Sequence, residues 1–86
     1  MPELSRFFGI VIRMYFNDHA LAHFRAVYGS HEALIEIDTL ALYRGELPRR
    51  AMALVLEWAA LHRTELRDNW ESAKAGVGAH PIAPLD

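Results

Sequence analysis

Residues 9–16 read GIVIRMYF, a run in which every even-numbered position is large and apolar. The odd-numbered positions are mixed and include Arg13 and Tyr15. Successive side chains of a strand point to opposite faces, so this alternation predicts a β-strand with one buried face and one open face. The Asn-Asp-His sequence at 17–19 favours a turn and ends the strand.

Three further segments have the composition of strands. Residues 23–28 (HFRAVY) end at Gly29-Ser30, and residues 33–37 (ALIEI) follow after a gap short enough for a hairpin. Residues 39–43 (TLALY) provide a short fourth candidate. Neighbouring strands with such short connections pair antiparallel. We therefore predict an α+β fold whose sheet is a meander of three or four antiparallel strands.

The spacing of apolar residues becomes helical after Pro48. Large apolar side chains recur every three or four positions through Trp58, and the pattern resumes, shifted by about one position, up to Trp70. The shift near His62 predicts either one long kinked helix or two helices, packed on the sheet. Gly76 ends the helical segment. We predict a single domain over residues 1–76 and an extended tail over residues 77–86, which contains Gly78, Pro81 and Pro84.

Composition narrows the classes of function. The chain has 86 residues, 52% of them apolar, a net charge of −2 and no cysteine. This size predicts one small domain, and the charge argues against a DNA-binding protein that relies on a basic surface. Without cysteine there is neither a disulfide framework nor a thiolate zinc site. Neither a signal peptide nor a membrane-spanning run is evident, so we expect a cytoplasmic protein with no cofactor.

The open face of the predicted sheet carries the most reactive side chains. Strand alternation places Arg13, Tyr15, His23 and Arg25 on this face, together with Glu32 and Glu36. If the protein is an enzyme, His23 is the candidate acid or base, Arg13 and Arg25 hold a phosphate, and Tyr15 orients or donates. His19 is the reserve candidate. Metal-independent RNA cleavage needs such a set. The alternative is that opposite charges pair across strands and keep the face solvated.

Histidine spacing also raises the question of a metal site. His19 and His23 have the i, i+4 spacing that suits zinc on a helix, with Asp18 and His31 nearby in sequence. Here His19 falls in a predicted turn and His23 on a strand. We therefore do not predict a metal site.

The helical segment has more apolar surface than a single sheet needs. Between residues 51 and 61 the only charged residue is Glu57. The excess predicts a contact with the second helical segment, with a second copy of the chain or with another protein. Trp58 and Trp70 are candidates for the core or for a partner interface. Arg49 and Arg50, close to Arg44, form a basic cluster that contacts an acidic partner or RNA phosphates, or is simply solvated.

Several segments together resemble a bacterial family known as domain of unknown function 4160. The most specific are 5–10 (SRFFGI), 14–19 (MYFNDH) and 23–24 (HF). The resemblance continues through 28–29 (YG), 35–37 (IEI), 45–47 (GEL), 49–51 (RRA), 56–59 (LEWA), 61–63 (LHR), 65–66 (EL) and 69–70 (NW). Members are often encoded beside a second small protein, which looks like a toxin–antitoxin pair. The resemblance thus implies a toxin-like component of a two-gene module.

This chain departs from the family pattern at one hairpin. The family pattern looks like His-x-Pro-Pro-His-Phe-His-Val, whereas residues 19–26 here read HALAHFRA. Leu21 and Ala22 replace the two prolines, and Arg25 replaces the last histidine. Arginine cannot act as a base at neutral pH, but it binds phosphate and stabilises developing charge.

The residues and the resemblance together lead to two hypotheses about function. The first is a toxin-like component that acts on RNA through the His/Arg face. The second is a non-catalytic interaction module that binds itself as a homodimer or binds the small protein encoded nearby.

Overall fold

The computed structural model describes residues 3–16 and 21–86. They form five strands followed by two helices: β1 (Glu3–Phe7), β2 (Ile10–Arg13), β3 (His23–Tyr28), β4 (His31–Glu36), β5 (Leu42–Glu46), α1 (Arg49–Leu61) and α2 (Arg63–Lys74). The strands lie in sequence order in one antiparallel sheet. The predicted α+β meander is confirmed, but the sheet has five strands and the prediction of three or four is wrong.

The additional strand is β1, which pairs with β2 through a two-residue turn. Phe7 lies opposite Ile10, and the two residues between them, Phe8 and Gly9, have φ values of 49° and 80°. Two successive positive φ values are typical of the type I′ turn that joins tight hairpins. Phenylalanine rarely occupies such a position, so the sequence at 7–9 did not indicate this turn.

The core lies between one face of the sheet and the helices. The alternating positions predicted to be buried in β2, β3 and β4 are buried, with Ile12, Phe24 and Ile35 completely inaccessible, except for Tyr28 at the end of β3, which is 38% exposed. Trp58 of α1 packs on this face, with its ring centroid 5.5 Å from that of Phe7 and 5.9 Å from that of Phe24. On the opposite face the side chains stay at least partly exposed, except for His23. The sheet therefore has one covered face and one open face, as predicted.

The helical segment consists of two helices that meet at His62. This residue is both the C-cap of α1 and the N-cap of α2, and its ring Nδ1 lies 2.5 Å from a carboxylate oxygen of Glu65. The structure thus selects two helices over one kinked helix. Gly76, with a φ of 80°, follows the C-cap of α2 and ends the helix as predicted.

Residues 77–86 have no helix or strand, yet they pack against the rest of the chain. Ile82 is 4% exposed and belongs to the hydrophobic core. Its N–H donates to the carbonyl oxygen of Leu4 in β1 (2.7 Å), and the indole N–H of Trp58 donates to the carbonyl oxygen of Ala83 (2.8 Å). Asn69 of α2 is buried and makes two hydrogen bonds with the backbone of His80. The segment therefore closes the gap between β1 and the helices.

Within the described residues, no helix is both long enough and apolar enough to cross a bilayer.

Candidate functional site

The strand register gathers three arginines into one row across the open face. Arg13 of β2 lies directly opposite Arg25 of β3, Arg25 lies opposite Leu34 of β4, and Leu34 lies opposite Arg44 of β5. Glu3 of β1 completes the row on the other side of Arg13. Facing residues of neighbouring antiparallel strands have Cβ atoms about 5 Å apart, so side chains along this row can contact a common ligand.

A second row runs beside the first and carries two carboxylates that face each other. It contains Arg6, Val11, Val27, Glu32 and Glu46, again in strand order. Glu32 and Glu46 face each other directly. The open face is consequently divided: the arginine row is mainly positive, and the adjacent row ends in two carboxylates.

Arg25 is held in place by contacts on two sides. Its guanidinium donates to Glu32 Oε2 at 3.0 Å and lies 4.6 Å from the ring centroid of Tyr15, a distance typical of a cation–π contact. Its Nε is buried without a hydrogen-bond partner among the described residues. Tyr15 follows β2 and supports the guanidinium, so the predicted pair Tyr15 and Arg25 does come together.

Arg13 lies between a like charge and an opposite one. Direct opposition of Arg13 and Arg25 is unfavourable, and the nearby carboxylate of Glu3 offsets part of that repulsion. The pKa of Glu3 lies below its ordinary value mainly because Arg6 donates hydrogen bonds to the carboxylate (2.8 and 3.1 Å), with a further contribution from the charge of Arg13. The same contact raises the pKa of Arg6. Glu3 is thus an anion shared by two arginines.

His23 differs from its sequence-based placement because it is buried. The prediction put His23 on the open face, but this residue is only 6% exposed. The ring packs 5.3 Å from the ring of Trp70 and 5.6 Å from that of Tyr43. His23 Nδ1 donates to the carbonyl oxygen of Leu21 at 2.7 Å, since a carbonyl can only accept. Only Nε2 then remains for acid–base chemistry, and the ring has little contact with solvent.

The reserve candidate and the metal question concern the same hairpin. His19 and Asp18 lie outside the residues that the structure describes. Among residues 3–16 and 21–86, no three histidine or acidic side chains cluster as metal ligands.

The four candidate partner contacts separate into two groups. Trp58 and Trp70 are buried within the chain, which leaves them almost no surface for a partner. Arg49 and Arg50 are exposed in the first turn of α1. Arg44, which sequence proximity had grouped with these two arginines, lies in β5 in the row of Arg13 and Arg25.

Sequence reasoning missed the role of Arg44 and of Tyr43. Strand β5 covers Leu42–Glu46 rather than 39–43, and the register shifts between Leu34 and Ile35. Such an irregularity inserts an extra residue into one strand, and period-2 alternation cannot locate it. The only signal in the sequence was Gly45. Its φ is 78°, and a Cβ there would lie 2.2 Å from the carbonyl oxygen of Glu32.

The comparisons with known proteins agree with the resemblance noted from the sequence. A model of the family described as domain of unknown function, DUF4160, matches residues 9–71. Neither the curated proteins nor the solved structures gave a significant match to the chain. The family match covers β2 to β5, α1 and most of α2, including Arg13, Arg25 and His23. The chain therefore belongs to the DUF4160 family.

Proposed function

We propose that this protein is the toxin-like component of a two-protein bacterial module, and that the open face of its sheet binds RNA. The observation that carries the proposal is the opposition of Arg13 and Arg25 on an uncovered face, with Tyr15 against Arg25. The two-protein module itself is what the resemblance to the family implies. The binding surface is argued from the geometry.

The chemistry of the arginine row suits a phosphate backbone. A guanidinium presents a planar set of donors that matches phosphate oxygens in a bidentate manner. Single-stranded RNA also stacks its bases on aromatic side chains and arginine planes, which open antiparallel sheets display well. Arg13, Arg25 and Arg44 supply the cations, while Tyr15 and Tyr43 supply rings beside Arg25 and Arg44.

Glu32 does not block this function. Its ion pair with Arg25 is partly exposed, with side-chain accessibilities of 33% for Arg25 and 49% for Glu32. Pairs of this kind contribute about 0–1 kcal/mol, so a phosphate can replace the carboxylate at small cost. The carboxylate therefore competes with the phosphate and weakens RNA binding without preventing it.

The proposal assigns binding, and not strand cleavage, to this face. A general base must come within hydrogen-bond reach of the 2′-hydroxyl. His23 Nδ1 is already bonded to Leu21, and Trp70 and Tyr43 pack against the ring. Arg25 stands where the family pattern has a second histidine.

Fluorescence anisotropy with labelled oligouridine of about 12 nucleotides tests the proposal, because this length covers a typical single-stranded binding site. We expect the double variant Arg13→Gln/Arg25→Gln to weaken binding at least tenfold. The slope of log K against log salt should become shallower by about 1.4, since each phosphate contact to single strands contributes about 0.7. Glu32→Gln should strengthen binding about two- to fivefold because Arg25 loses its competitor.

Arg63→Gln is the matched control. It removes one exposed arginine at the start of α2, outside the strands that form the open face. Its affinity and salt slope should equal those of the wild type. Equal losses in Arg63→Gln and in the double variant would show that RNA is attracted by general charge and that the face has no special role.

The edge strand favours a second candidate function, a protein-interaction module. All five residues of β5 are exposed, including Leu42 at 52%, and among the strands of residues 3–16 and 21–86 β5 pairs only with β4. An unpaired edge is able to accept a strand from another protein. The partner in this case is the small protein encoded nearby. Arg44 lies in the same strand, but Leu42 pairs with the buried Ile35 and is not one of the arginines of the RNA proposal.

Co-expression with the neighbouring gene product, followed by size-exclusion chromatography, separates the two functions. A partner strand on β5 predicts that Leu42→Lys abolishes co-elution and leaves RNA affinity unchanged. The RNA proposal predicts that Arg13→Gln/Arg25→Gln loses RNA and still co-elutes with the partner. Co-elution that survives Leu42→Lys would exclude β5 as the interface.

A further inference from the structure

A cleft lies at the end of the molecule where the turn between β1 and β2 meets the start of α1. Its volume is about 170 Å³, and it opens to solvent. It is lined by Phe8, Ile10, Tyr28, Pro48, Arg50, Ala51 and Leu54. None of the open-face residues Arg13, Tyr15 and Arg25 belongs to this set. The cleft is therefore a surface distinct from the open face.

The walls of the cleft are apolar and unusually exposed. Phe8 is 58% exposed and Tyr28 is 38% exposed, although both rings belong to a chain with a well-formed core. Phe8 is also held at a φ of 49°, a conformation that costs a residue with a side chain about 1 kcal/mol or more. A strained backbone that holds an aromatic ring at the mouth of a cleft indicates a binding surface.

Charge selects the kind of ligand. Of the described residues that line the cleft, Arg50 is the one charged residue, and none is acidic. Among the described residues, Arg50 makes no salt bridge and no side-chain hydrogen bond. A cation at the edge of an apolar cleft favours a ligand with an apolar body and one anionic group.

Volume limits the body of that ligand to about one ring. A cavity of about 150 Å³ in another protein accepts a benzene molecule. The aromatic rings of Phe8 and Tyr28 offer offset or edge contacts to such a ring, and Leu54 and Ile10 supply the aliphatic floor. A nucleotide would be too large and too polar for this space.

We propose that the cleft binds a small aromatic carboxylate, with its ring among Phe8, Tyr28 and Leu54 and its carboxylate on Arg50. The site adds a ligand-binding function that does not depend on the open face. Because Phe8 and Gly9 form the β1–β2 turn, the ligand joins that turn to α1.

Titration of ¹⁵N-labelled protein with benzoate, followed by amide NMR spectra, tests the proposal. We expect saturable shifts at Phe8, Gly9, Tyr28, Arg50 and Ala51, with a Kd on the order of 1 mM for so small a ligand. Benzamide has the same shape without the charge, and it should bind at least fivefold more weakly. Arg50→Gln should weaken benzoate at least fivefold and leave benzamide unchanged.

Arg49→Gln is the matched control, because Arg49 is the preceding exposed arginine and does not line the cleft. It should bind benzoate as the wild type does. Equal binding of benzoate and benzamide, or an equal effect of the two substitutions, would overturn the role of Arg50. Absence of saturable shifts would overturn the site. If only a peptide with a free carboxyl-terminal Phe shifts these amides, the cleft is a peptide site and the small-molecule assignment is wrong.

Discussion

His23 is the residue at which strand alternation and burial disagree. Alternation places it on the same face as Arg25, yet its ring is buried against Trp70 and Tyr43. His23 is the first residue of β3, at the end of the sheet where α2 lies close. At the end of a sheet, residues that lie beyond the last strand pair can cover a side chain. The face to which that side chain points then no longer determines how exposed it is.

The packing of His23 predicts how substitutions affect stability. His23→Ala removes a buried ring from its contacts with two aromatic side chains, and we expect a loss of about 1–3 kcal/mol in the free energy of unfolding. His23→Phe keeps a ring there and should lose less. Urea denaturation of the two variants measures the difference.

The same pair separates packing from chemistry in a growth assay. Since the proposed function is binding, His23→Phe should retain any growth arrest that the wild type causes on expression. An alanine variant as stable as the wild type would show that the ring makes no packing contribution. Loss of growth arrest in a stable His23→Phe variant would restore an acid–base role for the imidazole.

Residue-level prediction from the sequence succeeded where alternation is regular and failed where it is interrupted. The buried positions of β2, β3 and β4 follow directly from period-2 spacing, and so does the placement of Arg13 and Arg25 on the open face. The irregularity opposite Leu34 shifts β5, and for this reason Arg44 was not recognised as part of the site. The contact between Arg25 and Tyr15 depends on rotamers, which spacing does not specify.

At the level of elements, turns explain most of the differences between expectation and structure. The Gly29-Ser30 hairpin was predictable because glycine marks it, whereas the Phe8-Gly9 turn places a phenylalanine where glycine, asparagine or aspartate is usual. The junction at His62 was visible as a shift in helical spacing. Only the structure distinguished two helices from one kinked helix.

The segment 77–86 shows what spacing cannot reveal. It has no periodicity, so the sequence suggested an extended tail that either was disordered or lay along a partner. In the structure it packs against its own chain. Its residue Ile82 belongs to the core, and Trp58 and Asn69 make hydrogen bonds with its backbone. Long-range hydrogen bonds between a loop and a buried side chain depend on the assembled core, and no local pattern encodes them.

The docking of this segment predicts a large effect of one substitution within it. Ile82→Ala removes a buried side chain from the core, and we expect a loss of about 2–4 kcal/mol in the free energy of unfolding. Val77→Ala, at an exposed position of the same segment, should change it by less than about 0.5 kcal/mol. Thermal or urea denaturation checks both values. Similar stabilities of the two variants would mean that the segment is not docked in solution.

At the scale of the whole molecule, the two proposed functional surfaces lie on different parts of the sheet. The helices and segment 77–86 cover one face, which leaves the arginine row free on the other. The cleft beside Phe8 lies on the boundary between the sheet and α1. The proposed RNA binding and the proposed carboxylate site can therefore be tested independently, through Arg13 and Arg25 in one case and Arg50 in the other.

The most direct test of the account is an NMR map of the RNA contact surface. Oligouridine added to ¹⁵N-labelled protein is expected to shift the amides of β2 and β3 around Arg13 and Arg25, and that of Arg44 in β5. Amides of α1, α2 and residues 77–86 are expected to stay in place. Saturable shifts confined to the helices, or none at all at low salt, would contradict the claim that the open face binds RNA.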